Sequence, residues 1–588
     1  MTIFDFAPTK ADGVRQLRVG RFTRVLSVAL PVFWALLFLY VPARIMIWLT
    51  RREVARLGPR AQDRRALWLV LAAGVVLMAW GIGFALGQPW VPDALAPFVV
   101  RFAYLSEFSH GWYDKYPTAY FAMLSIPMSA FEISDRLSIL PVEGPIAEAA
   151  QEVLFRLVSL LAGVGTLAVA YLCGAELYGA RRGVAAPIVL LLTPLFLYYG
   201  KTPNLDLPSL LWFGWATLGF VRVVKYNRAA DYLLLGAAAA AAVATKDQHY
   251  ANLVLLPLGV LVVNARRHPA PTWPGRLGRA LTDSRLWLGG AAAVGVSLVL
   301  HNVIFNFSGF VAHVRELAGY RQVLPFVPAT AGGYLSLTGR TGELFAFGMG
   351  WAWFGAALAG IVLAVWRRDD RWWLWLLLVP LSFHASFTLV TRSVYDRYLL
   401  GGVFVLALFG GAALSELCEA RRWRPLAVLL AAGLTGYSVL YAVSVNVMMT
   451  RDARYEAVRW VQQRAGSGTT VGLLGGRNYM PAFGASVRSA RVMVEAEDLA
   501  RVSPDLLVVN ARLASRYEVL PAGRELLRGL EDGSLGYREV FRYRAPMPAW
   551  ALLQYTAAFA GTRESELTNL DKVNPEVVIY ERRQGAPR

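Results

Sequence analysis

The stretch LWLVLAAGVVLMAWGIGFALG, residues 67–87, decides the fold, because it is apolar from end to end. About 20 such residues in a helix cross the ~30 Å hydrocarbon core of a bilayer. It is followed at once by QPWVPDALAPFVVRFAYLSEFSHGWYDKYP, residues 88–117, which is too polar to stay in hydrocarbon. The chain therefore emerges there at a membrane surface. This second stretch carries Pro92-Asp93 and ends in Tyr113-Asp114-Lys115-Tyr116-Pro117. Between them, Ala94 to Phe108 has the pattern of an amphipathic helix lying along the interface. Upstream, RREVARLGPRAQDRR (51–65) is strongly basic and reads as cytoplasmic, so Asp93 lies outside.

Apolar runs of this length recur through the 588 residues, of which 56% are hydrophobic, and the mean hydropathy is +0.43. A transmembrane barrel would show short alternating segments instead. The net charge of +19 does not indicate nucleic acid, because the Lys and Arg residues gather at the ends of apolar runs, where they set topology. The two cysteines, Cys173 and Cys418, sit in or at the end of apolar runs, so no disulfide framework is implied. Residues 1–25 lack the apolar core and cleavage site of a signal peptide.

The expected fold is an all-α polytopic membrane bundle of about 11–13 transmembrane helices with a small C-terminal extracytoplasmic α/β domain. Residues 1–66 form an N-terminal extension, with one span or a re-entrant hairpin at 26–49 (broken by Pro31 and Pro42) and the basic loop. Residues 67–450 form the transmembrane domain, and 451–588 the outer domain. The threading makes 118–131 a partly inserted helix and 132–150 an external loop. Spans follow at 152–177, 184–200, 207–224, 231–245, 250–264 and 286–305. A long polar loop covers 306–343, and spans at 344–366, 372–390, 399–418 and 425–447 complete the set. The turns rich in Arg then fall inside. Mixed-charge clusters fall outside: Asp93, Asp114/Lys115, Lys201/Asp206, Lys246/Asp247/His249 and Asp396/Arg397. In the outer domain, Tyr455–Arg464 reads as helix; Thr470–Leu474, Leu506–Val509 and Glu576–Tyr580 read as strands; GLLGGRN (472–478) reads as a turn.

An ionisable side chain at membrane depth costs several kcal/mol unless it faces a cavity or a partner. One arrangement that satisfies all five outer clusters is a shared wet cavity at the outer leaflet. Asp93 is the candidate general base for a hydroxyl nucleophile; the alternative is a helix N-cap. Lys115, Lys201, Lys246 and Arg397 are candidate holders of a phosphate leaving group; the alternative is snorkelling to headgroups. Tyr395 flanks Asp396-Arg397 as Tyr113 and Tyr116 flank Asp114-Lys115. Asp206 is either a second carboxylate or a helix start. His249 with Asp247 suggests a metal pair, but residues at i and i+2 do not share a helix face. No HxxxH or CxxC spacing occurs, so a divalent metal is allowed but not indicated, and no other cofactor is implied. P-loop, dinucleotide and GxSxG signatures are missing from the sequence.

Taken in order, these motifs resemble the GT-C class of integral-membrane glycosyltransferases, in particular the protein O-mannosyltransferase and lipid A aminoarabinose transferase group. Pro92-Asp93-Ala94 is similar to the acidic motif of that family's first outer loop, and Lys115-Tyr116-Pro117-Thr118 to its Lys/Tyr-Pro-Pro stretch. Pro203-Asn204-Leu205-Asp206, Lys246 and Arg397-Tyr398-Leu399 resemble three later motifs. The chain departs from the pattern at Ala94, at Thr118 and in the two residues between Pro203 and Asp206. The resemblance implies a polyprenyl-phosphate donor carrying one sugar, and a lipid, glycan or protein acceptor. It implies transfer at the outer face with inversion, Asp93 as base, and Lys246 and Arg397, with Lys115, on the departing phosphate. It also implies a bacterial inner membrane with the site facing the periplasm or exterior. Membrane lipids would be partners and nucleic acid would not. Two other classes fit the same composition: a polytopic transporter and a non-catalytic lipid-binding protein of envelope assembly.

Overall fold

In the computed structural model, the described residues are 52, 61–91, 93–106, 116–304, 306–320, 327–419, 423–466, 468–475, 479–483, 487–511, 514, 521–553 and 568–583. Residues 26–49, Pro92, Tyr113, Asp114 and Lys115 lie outside them. The chain divides into two compact units. The first holds the described residues up to Ala79, Leu95–Val394 and Tyr398–Ser438; the second holds Trp80–Ala94, Tyr395–Arg397 and the chain from Val439 on.

The first unit is helical throughout. Its main helices are α1 (Ala61–Ala79), α2 (Pro97–Ser106), α3 (Thr118–Arg136), α4 (Pro145–Tyr178), α5 (Asp206–Tyr226) and α6 (Ala229–Thr245). Then come α7 (Ser284–Leu300), α8 (Phe307–Tyr320), α9 (Ala331–Met349), α10 (Trp351–Trp366), α11 (Leu400–Glu419) and α12 (Arg424–Thr450). Local chemistry sets their ends. Pro145 opens α4, where its missing N–H costs nothing, and Gly179 at φ 91° closes it. Asn227, left-handed at φ 56°, closes α5.

Five of the described helices are long and apolar enough to cross a membrane. The number is six if α9 and α10, bent by 113° at Gly350, count as one span. α6 and α7 are shorter apolar helices. Two expected spans are interrupted, 184–200 and 250–264, the second forming His249–Leu253 and Leu256–Arg267. Residues 184–200 form Ala185–Leu191 and Pro194–Tyr199, whereas the expected span 372–390 lies in one helical run, Arg368–Thr391, that passes from a 3-10 helix through an α segment into a π turn at His384–Thr388. The stretch 306–343 is not a plain loop, because α8 and most of α9 lie in it.

α5 and α11 are buried on nearly every side, whereas α12 exposes Leu426, Val428, Leu429 and Leu430. The first pattern marks the middle of a bundle, and the second a face toward lipid. Small residues let the helices touch. A Cβ on Gly236 of α6 would lie 2.0 Å from the carbonyl oxygen of Gly289 in α7, so these backbones meet directly. A buried carboxylate, Glu176 of α4, accepts from Arg222 Nε at 3.1 Å and Tyr226 hydroxyl at 2.8 Å, fastening α4 to α5.

The second unit carries a five-stranded sheet of order β2-β1-β3-β5-β4. Its strands are β1 (Thr470–Leu474), β2 (Arg488–Val492), β3 (Leu506–Asn510), β4 (Tyr537–Tyr543) and β5 (Val577–Arg582). β1 pairs in parallel with β2 and β3, and β5 pairs antiparallel with β3 and β4. Side chains alternate across the sheet. Val471, Leu473, Leu506, Val508, Val577 and Ile579 face helix α13 (Ala453–Arg464). Leu474, Leu507, Val509, Val578 and Tyr580 face α14 (Ala496–Val502) and α15 (Pro521–Glu531). The period of two places each set on one face.

Candidate active site

In the second unit, Arg397 Nη1 donates to Asp93 Oδ2, across 304 positions of sequence. Both side chains are partly open to solvent, 18% for Arg397 and 25% for Asp93. Asp93 has φ 54°, a left-handed backbone that aspartate tolerates better than most residues. The next helix, α2, begins at Pro97, so Asp93 lies ahead of its capping position. The Arg397 guanidinium also lies 6.0 Å from the Tyr395 ring centre. Its neighbour Asp396 is buried and accepts the Arg397 backbone N–H at 2.5 Å.

In the first unit, the turn after α6 meets the first turn of α5. Lys246 Nζ donates to Asp206 Oδ1 at 2.5 Å, and both residues are buried. Helix ends favour this pairing, because Asp206 sits at an N-terminus and Lys246 at a C-cap, the ends that suit their charges. The Lys246 ammonium is also 5.2 Å from the ring centre of Tyr398, which rests edge-on against Phe387 of the π turn. Thus Asp206 both starts a helix and binds a cation.

His249 stacks on Phe213, and its Nε2 lies 3.0 Å from the Ser209 hydroxyl. Burial, with the charge of Lys246 beside it, pushes the His249 imidazole down to about 3. The ring is therefore neutral near pH 7. Asp247 points elsewhere and accepts from His313 of α8 at 3.1 Å. Lys201 is fully buried, donates to the Leu77 carbonyl at 3.0 Å, and is held well below the usual lysine range by burial. Tyr116 packs beside the cluster of Leu95, Tyr120 and Leu124. Among the described residues, no group of three or more His, Cys, Asp or Glu side chains has the arrangement of a metal site.

Ser209, His313 and Phe387 belong to these arrangements without having stood out in sequence. Ser209 is three residues after Asp206, one helical turn on, which is the signal that would have found it. His313 and Phe387 have no such local marker.

The family model described as dolichyl-phosphate-mannose-protein mannosyltransferase matches residues 146–282. This membrane part of the chain is similar to the GT-C glycosyltransferases. The matched stretch contains Lys201, Asp206, Ser209, Lys246 and His249. Among solved structures, archaeal oligosaccharyltransferase AglB from Archaeoglobus fulgidus, in complex with an inhibitory peptide and a dolichol-phosphate, is 13% identical. The alignment covers 84% of this chain and 75% of that one, with a TM-score of 0.42. ArnT from Cupriavidus metallidurans, bound to undecaprenyl phosphate, is 14% identical over 87% of this chain and 97% of that one, with a TM-score of 0.42. The mycobacterial arabinofuranosyltransferase AftD is 14% identical over 89% and 40%, with a TM-score of 0.35. No curated protein sequence matches the chain.

Proposed function

We propose that this multi-pass membrane protein transfers one sugar from a polyprenyl-phosphate donor to a hydroxyl acceptor at the outer membrane face. The membrane is a bacterial inner membrane, and the working side is the periplasm or exterior. The observation that carries this reading is the Asp93–Arg397 pair, which joins the candidate base to a candidate phosphate holder.

In the reaction, Asp93 takes the proton of the acceptor hydroxyl as its oxygen attacks the anomeric carbon. The bond from that carbon to the phosphate oxygen breaks on the opposite side, which inverts the configuration. The electron pair leaves with the polyprenyl phosphate. Arg397 has five N–H donors, enough to hold Asp93 on one edge and a phosphate oxygen on another. Lys246, which binds Asp206, and Lys115 are the other cations that the family resemblance assigns to a phosphate. Lys201, with its amine turned to a backbone carbonyl, suits a structural part.

The test is transfer by the full chain in nanodiscs. The first donor is a polyprenyl-phosphate mannose, the acceptor a membrane extract, and the readout released polyprenyl phosphate. Asp93→Asn is expected to lower turnover by about 10²-fold or more while the lipid still binds. Normal turnover by that variant would remove Asp93 from the mechanism. In proteoliposomes of the same protein, solute flux with no covalent product would make the chain a transporter.

A further inference from the structure

The geometry assigns the α/β domain of the second unit a place in this chemistry: it braces the Asp93–Arg397 pair, and Arg454 is the positioning residue at the centre of the brace. The inference rests on the reading of Asp93 just given.

The stretch Trp80–Ala94 holds two non-glycine residues in left-handed backbone, Ala85 at φ 56° and Asp93 at φ 54°. Such conformations persist only where the surroundings over-determine them. Here the constraint comes from distant sequence. Ala85 N–H donates to the Tyr455 hydroxyl at 2.9 Å. The Gln88 side chain accepts from Ala482 N–H at 2.9 Å, and Pro89 carbonyl accepts from Tyr479 N–H at 3.1 Å. Trp90, almost fully buried, donates from Nε1 to the Met480 carbonyl at 2.9 Å.

All four contacts come from α13 or from the connection that leaves β1. In open α/β sheets, ligands bind at the carboxyl ends of the strands where the order reverses. β1, between β2 and β3, is that point in this sheet. Asn510, at the end of β3, donates to the Tyr479 carbonyl at 3.2 Å, and Tyr479 in turn holds Pro89. The end of the sheet where a ligand would sit is therefore taken by the chain's own Asp93-bearing segment.

Arg454 ties this segment to the Asp396-Arg397 turn. It is completely buried and binds Asp452 through Nε at 2.8 Å and Nη2 at 2.7 Å. Its Nη1 donates to Tyr479 carbonyl at 3.2 Å and its Nη2 to Lys572 carbonyl at 3.0 Å. Its guanidinium lies 4.4 Å from the ring centre of Trp90. On the far side, Thr568 and Lys572 lie close to the buried Asp396 carboxylate. One guanidinium thus touches Trp90, three residues before the base, and the backbone of Lys572, which lies close to the residue before Arg397.

The test uses the full chain in nanodiscs, with Arg454→Gln and the milder Tyr455→Phe. Hydrogen–deuterium exchange in peptides covering 80–94 is expected to rise at least about tenfold in both variants. Peptides from α4 should be unchanged. With polyprenyl-phosphate mannose, kcat should fall about tenfold or more at a donor KM within about twofold, a split that a purely structural role would not produce. Wild-type protection of 80–94 in both variants, or an unchanged kcat, would overturn the inference. If Arg454→Gln fails to fold, Tyr455→Phe decides alone. If polyprenyl-phosphate mannose is not turned over, that choice of donor fails and the exchange readout still decides the brace. Should Asp93→Asn stay active while 80–94 opens in these variants, the reading of Asp93 falls and the brace stands. The reverse result sinks the brace alone.

Discussion

Arg397 binds the Asp93 carboxylate through Nη1 and has further N–H donors for a phosphate oxygen. Arg397→Gln is expected to lower kcat by about tenfold or more, because one charged hydrogen-bond donor to a developing anion is worth ~1.5–3 kcal/mol. Lys246 differs, because its partner is buried with it. Lys246→Met leaves the Asp206 carboxylate unpaired and should cost ~3–5 kcal/mol, read as a lower Tm in detergent. Adding Asp206→Asn should recover part of that loss, since the two residues are coupled. His249 carries a pH dependence. Its folded value near 3 lies below the ordinary 6.5, so the unfolded chain binds its proton first as pH falls. The stability of the neutral ring is complete above about 6.5 and is lost progressively toward about 3, at up to ~1.4 kcal/mol per pH unit. His249→Gln should flatten the fall in Tm between pH 7 and 4. Sequence offered His249 only as half of a metal pair with Asp247, because burial by Phe213 and the bond to Ser209 come from another helix.

Helix existence was readable wherever apolar runs were long and uninterrupted, as in Asp206–Tyr226 and Leu400–Glu419. Boundaries moved where capping chemistry competed with hydropathy. α4 begins at Pro145, seven residues before its apolar run, because a proline opens a helix without losing a hydrogen bond. The break before Pro194 and the π turn at His384–Thr388 did not show in hydropathy, which reports side-chain polarity and not hydrogen-bond register. Contacts between elements depend on glycine, and one can be tested. Gly236→Ala places a methyl group 2.0 Å from the Gly289 carbonyl oxygen, so α6 and α7 must separate. The expected cost is ~1–3 kcal/mol, seen as a lower Tm, whereas Gly290→Ala, which meets nothing within 4 Å, should be neutral.

For the whole molecule, topology can be checked with the native cysteines. Cys418 is exposed at the end of a span expected to run inward, and Cys173 is buried. An impermeant maleimide should label Cys418 only after the membrane is opened, and Arg524→Cys on α15 should label in intact cells. The opposite pattern would invert the threading. A helical membrane protein with a small C-terminal sheet region was legible along the chain, because hydropathy, charge and strand alternation are local properties. The sequence also supplied the charged candidates at the outer turns. That Asp93 meets Arg397, that Lys246 is held by Asp206, and that residues 80–94 belong with the C-terminal sheet became visible in the folded chain alone. Those pairings depend on how separate elements approach one another, and a linear pattern carries no distance between residues far apart in the chain.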